Sequence, residues 1–238
     1  MQLFYYDIPS AQSTKLELEK QDSRHLTKVL RKKSGDTFHV TDGKGNLFDA
    51  TLGLVTSNRC EIDLAFAKAE PPPSPSLHIA IAPTKMNDRM EWFLEKATEI
   101  GVSTISPIIC QRSERKKINH DRFQRIITSA LQQSAQLWMP ELKDQQSFDQ
   151  FVKNHDAQQK FMAHCMDGTE GYLGSQLEMG SDTIIMIGPE GDFTPDEWKM
   201  AITMGFESVN LGNTRLRTET AGVYTATIFQ GLQLLDLK

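Results

Sequence analysis

Apolar and polar positions in the C-terminal two thirds of the chain alternate between buried-strand runs and stretches with helical periodicity. The strand-like runs are residues 77–83, 104–109, 183–187 and 209–211. A helix is predicted over residues 88–100, because its apolar positions recur every three or four residues and Gly101 follows as a stop. A second amphipathic helix is predicted around residues 123–131. Strands that alternate with helices indicate an α/β domain with a parallel sheet.

The N-terminal part of the chain has a different pattern. Short β-rich runs at residues 37–40 and 47–52 flank a turn-forming segment at residues 42–46, which predicts a small barrel or meander. A stiff proline-rich stretch follows and suits a boundary between folded units. The predicted organisation is therefore a domain over residues 1–70, a linker over residues 71–76 and an α/β domain over residues 77–238.

Two segments near the end of the chain, residues 187–193 and 211–221, each follow a predicted strand and lead into a predicted helix. The first helix begins with a capping box, in which Thr194 is the N-cap and Glu197 the third helical residue. The last helix is predicted from Thr220 onward. Its predicted apolar stripe comprises Ala221, Thr225, Ile228, Leu232 and Leu235. Loops that follow neighbouring parallel strands meet at one edge of a sheet, so the two segments predict a binding site.

The second segment carries more polar side chains than a connection needs. A capping role accounts for Thr218 or Thr220, and Glu219 suits the first turn of a helix. The helix dipole disfavours cations at this end, so capping does not explain Arg215 and Arg217. Their presence favours a functional role.

These motifs resemble those of the SPOUT class of S-adenosylmethionine-dependent RNA methyltransferases, and within it the family that methylates N3 of a uridine in small-subunit (16S) ribosomal RNA. The residues that carry the resemblance span nearly the whole chain: 25–31 with Gly35 and Asp36, 95–102, Arg112 with Ser113, 188–191 (Gly-Pro-Glu-Gly), and 216–221 (Leu-Arg-Thr-Glu-Thr-Ala). The resemblance implies a PUA-like RNA-binding β-barrel, then an α/β SPOUT domain with a deep C-terminal trefoil knot. It also implies a homodimer whose interface includes the last helix.

The resemblance also implies a set of site residues. Those expected to bind S-adenosylmethionine are Ile187, Gly188, Pro189, Glu190, Gly191, Leu211, Gly212, Leu216, Thr218, Thr220 and Ala221. Uracil N3 must lose a proton before it can accept a methyl group. Arg217 is expected to stabilise the negative charge that develops, and Glu219 or Glu190 to accept the proton.

The formal net charge of −5 does not by itself favour an RNA substrate, but the basic residues are clustered. Local basic patches, rather than overall charge, provide phosphate contacts. The residues expected to bind RNA are Arg24, Lys28, Arg31, Lys32, Arg112 and Arg115. The expected partner is small-subunit ribosomal RNA, either free or in the assembled subunit.

Composition limits the other possibilities. No apolar run approaches the length of a membrane span, and the N-terminus lacks a signal peptide, so no membrane partner and a cytoplasmic location are expected. Cys60, Cys110 and Cys165 lack metal-ligand spacing, so no metal is expected. A nucleotide-dependent enzyme is disfavoured, because both the Gly-x-Gly-x-x-Gly and the Walker motif are absent.

Two alternatives to uridine N3 methylation stay open. One is a non-catalytic RNA-binding or ribosome-assembly protein, and the other is a SPOUT enzyme that acts on ribose 2′-O or guanine N1. The chain also departs from its relatives at two places. Many relatives have a second glycine where this chain has Asp192, and many have a Gly-Arg pair before the proline that corresponds to Pro140.

Overall fold

The computed structural model describes residues 2–56, 59–165 and 171–235. The chain divides into two units. The N-terminal unit comprises Met1–Pro72 together with Leu131–Met139, and the C-terminal unit comprises Pro73–Ala130 and Pro140–Lys238. The boundaries predicted from the sequence, at residues 70 and 77, stay a prediction.

Within the described residues, the N-terminal unit forms a five-stranded sheet. Its strands are β1 (Leu3–Tyr5), β2 (Lys15–Leu18), β3 (Thr37–Thr41), β4 (Asn46–Val55) and β5 (Cys60–Ala69). The spatial order is β1-β3-β4-β5-β2, and every pair is antiparallel except β1 with β3. A short helix α1 (Lys20–Arg24) continues into a π-helical turn (His25–Val29). The two predicted β-rich runs therefore lie in β3 and β4.

The segment Leu131–Met139 completes the N-terminal unit from a distant part of the sequence. The Gly45 amide donates to the Leu137 carbonyl (2.9 Å), and the Trp138 indole Nε1 donates to the Glu70 carbonyl (3.1 Å). Gly45 has φ +91°, and a Cβ there would lie 2.5 Å from the Glu70 carbonyl oxygen. Only glycine fits this close approach.

The C-terminal unit is an α/β domain. Its strands are β6 (Leu77–Ile81), β7 (Thr104–Ile109), β8 (Glu141–Leu142), β9 (Gln146–Ser147), β10 (Gln159–Ala163), β11 (Thr183–Ile187) and β12 (Glu207–Val209). Its helices are α2 (Asn87–Ile100), α3 (His120–Ser134), α4 (Phe148–Asn154), α5 (Leu173–Gln176), α6 (Pro195–Thr203) and α7 (Thr218–Leu235), of which α3 ends within the N-terminal unit. The described strands are ordered β12-β10-β11-β6-β7-β8, β9 also pairs with β7, and all these pairs are parallel. The predicted parallel sheet is confirmed, whereas the trefoil knot stays a prediction.

Local signals account for the elements beside the site. Every residue of β11 is buried, as its continuous apolar run predicts. The α2 helix ends at Gly101, which has φ +94° and donates its amide to the Ala97 carbonyl (3.1 Å). At the start of α6, Thr194 and Glu197 form the predicted capping box, with both reciprocal hydrogen bonds present. These predictions are confirmed.

The end of the chain differs from its prediction. The last strand is Glu207–Val209 rather than residues 209–211, and α7 begins at Thr218 rather than Thr220. Leu235 of the predicted apolar stripe is 66% exposed, whereas Phe229, which the stripe omitted, is fully buried. The helix buries positions 218–219, 221–222, 225–226 and 229, because these lie on the face that packs against α2 and β6.

Close packing fixes α7 against α2. A Cβ on Gly222 would lie 2.5 Å from the ring of Phe93, which is fully buried. A side chain at this position would push the two helices apart, so the glycine permits their close approach. No helix within the described parts of the chain is both long enough and apolar enough to cross a membrane.

His78 couples the stability of the C-terminal unit to pH. It lies in β6 with its Nε2 2.8 Å from the Ser106 hydroxyl and its ring against Phe151 and His155. Burial, assisted by His155 and Lys143, lowers the pKa of His78 from 6.5 to about 3. As the pH falls below 6.5, the unfolded chain therefore takes up a proton that the folded chain excludes.

We expect this histidine to contribute full stability above pH 6.5 and to lower the free energy of unfolding by ~1.4 kcal/mol per pH unit between 6.5 and 3. Urea unfolding at several pH values across this window measures the slope. His78→Gln removes the titrating ring and should reduce the slope by that amount. An equal slope in the parent and the variant would contradict this assignment.

Candidate active site

Three parallel strands end at the same level of the sheet. Ala163, the last residue of β10, pairs with Ile187 at the end of β11 and with Val209 at the end of β12. The loops that follow these strands therefore leave the sheet side by side, at its carboxyl edge. This is the edge at which open α/β sheets bind ligands.

Two adjoining cavities lie among these loops. The larger, of about 660 Å³, is bordered by the residues that follow β10 and β12. The smaller, of about 270 Å³, lies between the turn after β11 and the start of α7. Cys165, Asp192, Arg215, Leu216 and Ala221 line both. Ligand pockets in proteins typically have volumes of roughly 300–1,000 Å³, so the pair can accommodate a cofactor.

The structure brings most of the predicted cofactor residues to these cavities. Those that line the larger cavity are Gly191, Leu211, Gly212, Leu216 and Ala221. Those that line the smaller one are Ile187, Gly188, Pro189, Glu190, Leu216, Thr218 and Ala221. Thr220 lines neither cavity. Their role in binding a cofactor stays a prediction.

The turn after β11 is held by its own hydrogen bonds. The Asp192 amide donates to the Pro189 carbonyl (2.9 Å), and Asp192 has φ +60°. Its carboxylate accepts from the amides of Phe193 (2.8 Å) and Cys165 (2.9 Å). Asp192 thus takes the left-handed conformation and links the turn to the end of β10.

Contacts from other elements also reach the turn. The Thr218 hydroxyl, at the start of α7, donates to the Gly188 carbonyl (3.0 Å). The Glu190 carboxylate accepts from the Lys85 amide (3.0 Å), in the loop between β6 and α2. Thr218 is 5% exposed, so its hydroxyl is committed to this structural bond. The turn is therefore connected to the start of α7 and to the loop that precedes α2.

The two predicted catalytic residues have different surroundings. Arg217 is exposed and lines the smaller cavity together with Glu190. Glu219 is 6% exposed and lines neither cavity. Its Oε1 lies 3.8 Å from Nε of Arg89 in α2, and its Oε2 has no hydrogen-bond partner among the described residues. The structure thus places Arg217, but not Glu219, at a cavity.

The residues predicted to bind RNA fall into two groups. Arg24, Lys28 and Arg31 are exposed around the π-helical turn of the N-terminal unit. Lys32 beside them lies over the Phe38 ring, 5.3 Å from its centroid. The other group, Arg112 and Arg115, lies in the loop between β7 and α3, and both guanidinium groups donate to backbone carbonyls. RNA binding by either group stays a prediction.

Two family models match the chain. An RNA methyltransferase domain matches residues 71–230, and an RNA methyltransferase PUA domain matches residues 18–65. The chain belongs to this RNA methyltransferase family. The fold class predicted from the sequence, an α/β methyltransferase domain with a parallel sheet preceded by a PUA-like domain, is confirmed.

Individual relatives agree with this RNA methyltransferase assignment. A Synechocystis protein named ribosomal RNA small subunit methyltransferase E is 30% identical over 203 residues, which cover 83% of this chain and 66% of that protein. A probable rRNA-methyltransferase from Porphyromonas gingivalis has a TM-score of 0.89 at 34% identity, covering 99% of this chain and 100% of that one. A ribosomal RNA small subunit methyltransferase E from Neisseria gonorrhoeae, bound to S-adenosyl methionine, has a TM-score of 0.86 at 28% identity, with 98% of each chain covered.

Burial and charge determine the protonation of two side chains in the larger cavity of this methyltransferase. Burial lowers the pKa of His164, and Asp192 partly opposes this effect. Burial and Asp192 raise the pKa of the Cys165 thiol, and Arg215 opposes them. At neutral pH these two residues are therefore uncharged. Among the residues that the structure describes, the charged side chains that line this cavity are Asp192, Arg112 and Arg215.

Sequence patterns missed part of this methyltransferase site. The strand β10 was not predicted, so neither were His164 and Cys165, which follow it. The apolar part of β10, residues 161–163, is too short to be distinguished from a loop. The polar residues before it do not alternate with apolar ones, so the usual signal of a half-buried strand is absent. Among the described residues, no group of three or more His, Cys, Asp or Glu side chains could hold a metal ion.

We expect Asp192→Ala to lower the free energy of unfolding by about 2–3 kcal/mol, because it removes two charge-assisted hydrogen bonds, including the local bond to the Phe193 amide that helps Asp192 to tolerate positive φ. Asp192→Gly removes the same bonds but tolerates this conformation, so its loss should be smaller by about 1 kcal/mol. Urea unfolding of the three proteins provides the comparison. Equal stability of the alanine variant and the parent would show that the carboxylate bonds contribute nothing.

Proposed function

We propose that this chain transfers the methyl group of S-adenosylmethionine to N3 of a uridine in small-subunit ribosomal RNA. The observation that carries the proposal is the pair of cavities at the ends of β10, β11 and β12, with Arg217 and Glu190 at the smaller one. Membership in an RNA methyltransferase family, with relatives named for small-subunit ribosomal RNA, supports the reaction and the substrate class.

The cavity residues suit this cofactor. S-adenosylmethionine combines a carboxylate, an ammonium group and a cationic sulfur, and Arg215 and Asp192 place both signs of charge in the larger cavity. Gly212 there has φ +115°, and a Cβ would meet no atom within 4 Å, so a ligand can approach its backbone. When bound, the cofactor supplies an electrophilic methyl group. Transfer then requires alignment with the acceptor and exclusion of water, not a metal.

Among the described residues, Arg215 and Arg217 are the arginines that line the smaller cavity, and we propose that Arg217 assists the acceptor. Loss of the N3 proton leaves negative charge on the uracil ring, and a guanidinium group stabilises such charge most strongly where water is excluded. Arg217 lines the smaller cavity, beside the turn that carries Glu190. We assign it the role of holding the deprotonated base.

Glu190 and Glu219 are the two candidates for proton acceptor. Glu190 lines the smaller cavity with Arg217, although its carboxylate also accepts from the Lys85 amide. Glu219 is buried beside Arg89 and would have to act through water or after a movement of α7. The geometry therefore favours Glu190.

The remaining parts of the proposal concern partners and location. The exposed cations Arg24, Lys28 and Arg31 of the PUA domain provide phosphate contacts. A homodimer through α7 would cover Leu234 and Leu235, which are 64% and 66% exposed. The substrate is either free ribosomal RNA or the assembled small subunit, and the enzyme works where ribosomes are made, in the cytoplasm.

The first test incubates the protein with labelled S-adenosylmethionine and small ribosomal subunits that lack native methylation, followed by nucleoside analysis. Labelled 3-methyluridine is the expected product. A label on ribose or guanine would retain the methyltransferase but replace the acceptor. Cofactor binding without any labelled nucleoside, on subunits or on free RNA, would favour the non-catalytic alternative.

Variants separate the roles of the three charged residues. Arg217→Ala and Glu190→Gln should each lower kcat by ~10²-fold or more while the dissociation constant for S-adenosylmethionine changes much less. Glu219→Gln should leave kcat within about threefold of the parent, since a group that only packs contributes little to proton transfer. Single-turnover rates across pH provide the measurement. A large loss in Glu219→Gln with a normal Glu190→Gln variant would assign the proton acceptor to Glu219.

A further inference from the structure

Arg112 reaches the turn after β11 from a different loop. Its Nη1 donates to the carbonyls of Gly191 (2.9 Å) and Phe193 (3.2 Å). Its aliphatic stem also lies against Gly191, where a Cβ would be 3.3 Å from the Arg112 Cβ and 3.5 Å from its Cδ. One side chain thus contacts the backbone on both sides of Asp192.

The loop that carries Arg112 is itself fixed in place. The Gln111 amide donates to Oε1 of Glu197 (2.7 Å), and the Cys110 amide donates to the Ser113 hydroxyl (3.0 Å). Glu197 is 8% exposed, and its other carboxylate oxygen accepts from the Thr194 amide in the capping box of α6. The guanidinium group is therefore presented from a rigid base.

The carbonyls that Arg112 binds belong to the turn that borders both cavities. Gly191 and Asp192 line the larger cavity together with Arg112 itself. Hydrogen bonds to a charged donor are stronger than those between neutral groups, and a backbone held in its bound conformation loses less entropy when the ligand arrives. Arg112 is thus placed to fix the shape of the turn before binding.

We infer that Arg112 is a positioning residue, which holds Gly191 and Phe193 in the conformation that binds the cofactor. This inference rests on the proposed S-adenosylmethionine site, and it differs from the sequence-based prediction that Arg112 contacts RNA. Arg115 makes a parallel contact, since its Nε and Nη2 donate to the carbonyls of Thr84 (3.0 Å) and Lys85 (2.7 Å). Arg112 therefore holds the turn of the proposed cofactor site, and Arg115 holds the adjoining β6–α2 loop, whose Lys85 amide donates to Glu190.

The test measures cofactor and RNA binding separately in full-length variants. Arg112→Ala should raise the dissociation constant for S-adenosylmethionine, measured without RNA, by about tenfold, the equivalent of one charge-assisted hydrogen bond. KM for the small subunit, measured at saturating cofactor, should stay unchanged. Arg112→Lys, which keeps one charged donor, should recover part of the affinity.

Arg125→Ala is the matched control. Arg125 is an exposed cation in α3, and among the described residues its Nε donates within that helix, to the Asp121 carbonyl (3.2 Å). It should leave the cofactor dissociation constant unchanged. An Arg112→Ala protein with parental cofactor affinity and a raised KM for RNA would overturn the inference and make Arg112 an RNA contact.

Hydrogen exchange of the ligand-free proteins gives a readout that does not depend on the reaction. Removal of the Arg112 side chain should speed amide exchange in the turn at residues 188–193 and leave β11 unchanged. If the turn of the Arg112→Ala protein exchanges at the parental rate, the inference is wrong, whether or not the cofactor binds. If the turn exchanges fast in Arg112→Ala but the parent does not bind S-adenosylmethionine, Arg112 still fixes the turn, and the proposed cofactor is rejected instead.

Discussion

The common level at which β10, β11 and β12 end is the constraint on which the site depends. Parallel pairing aligns Ala163 with Ile187 and with Val209, so the segments that follow these strands emerge beside one another. A slip of one residue in either pairing would turn every side chain of the shifted strand to the opposite face and displace one loop along the sheet. The buried apolar strands resist such a slip, because it would expose core residues.

Elements with strong local signals were predictable from the sequence. The capping box at Thr194, the buried run of β11 and the glycine after α2 each combine several cues within a few residues. The buried face of α7 was not predictable in full, because it is decided by which residues meet α2 and β6. Leu235 continues the apolar pattern of the sequence, yet it lies beyond the part of the helix that the sheet covers.

In the candidate site, too, some residues were predictable from the local sequence and others were not. Glycine, proline and paired arginines predict a site in the loops after β11 and β12, and most of the residues predicted there line a cavity. Arg112 carries no local sign of its contact, since Gly191 is 79 residues away along the chain. Positive charge in a sequence indicates a partner of negative charge or a set of carbonyls equally well. Only the folded structure shows whether such a side chain is free to contact RNA or hydrogen-bonds to the protein's own backbone.

The insertion of Leu131–Met139 into the N-terminal unit limits how this protein could have evolved. A module encoded by one continuous stretch can be gained, lost or exchanged in a single recombination event. Here the unit that contains the whole PUA match takes its last segment from within the sequence matched by the methyltransferase domain. Transfer of residues 1–72 alone would leave behind the partners of Gly45 and Glu70. The two halves of the enzyme are therefore expected to be inherited together.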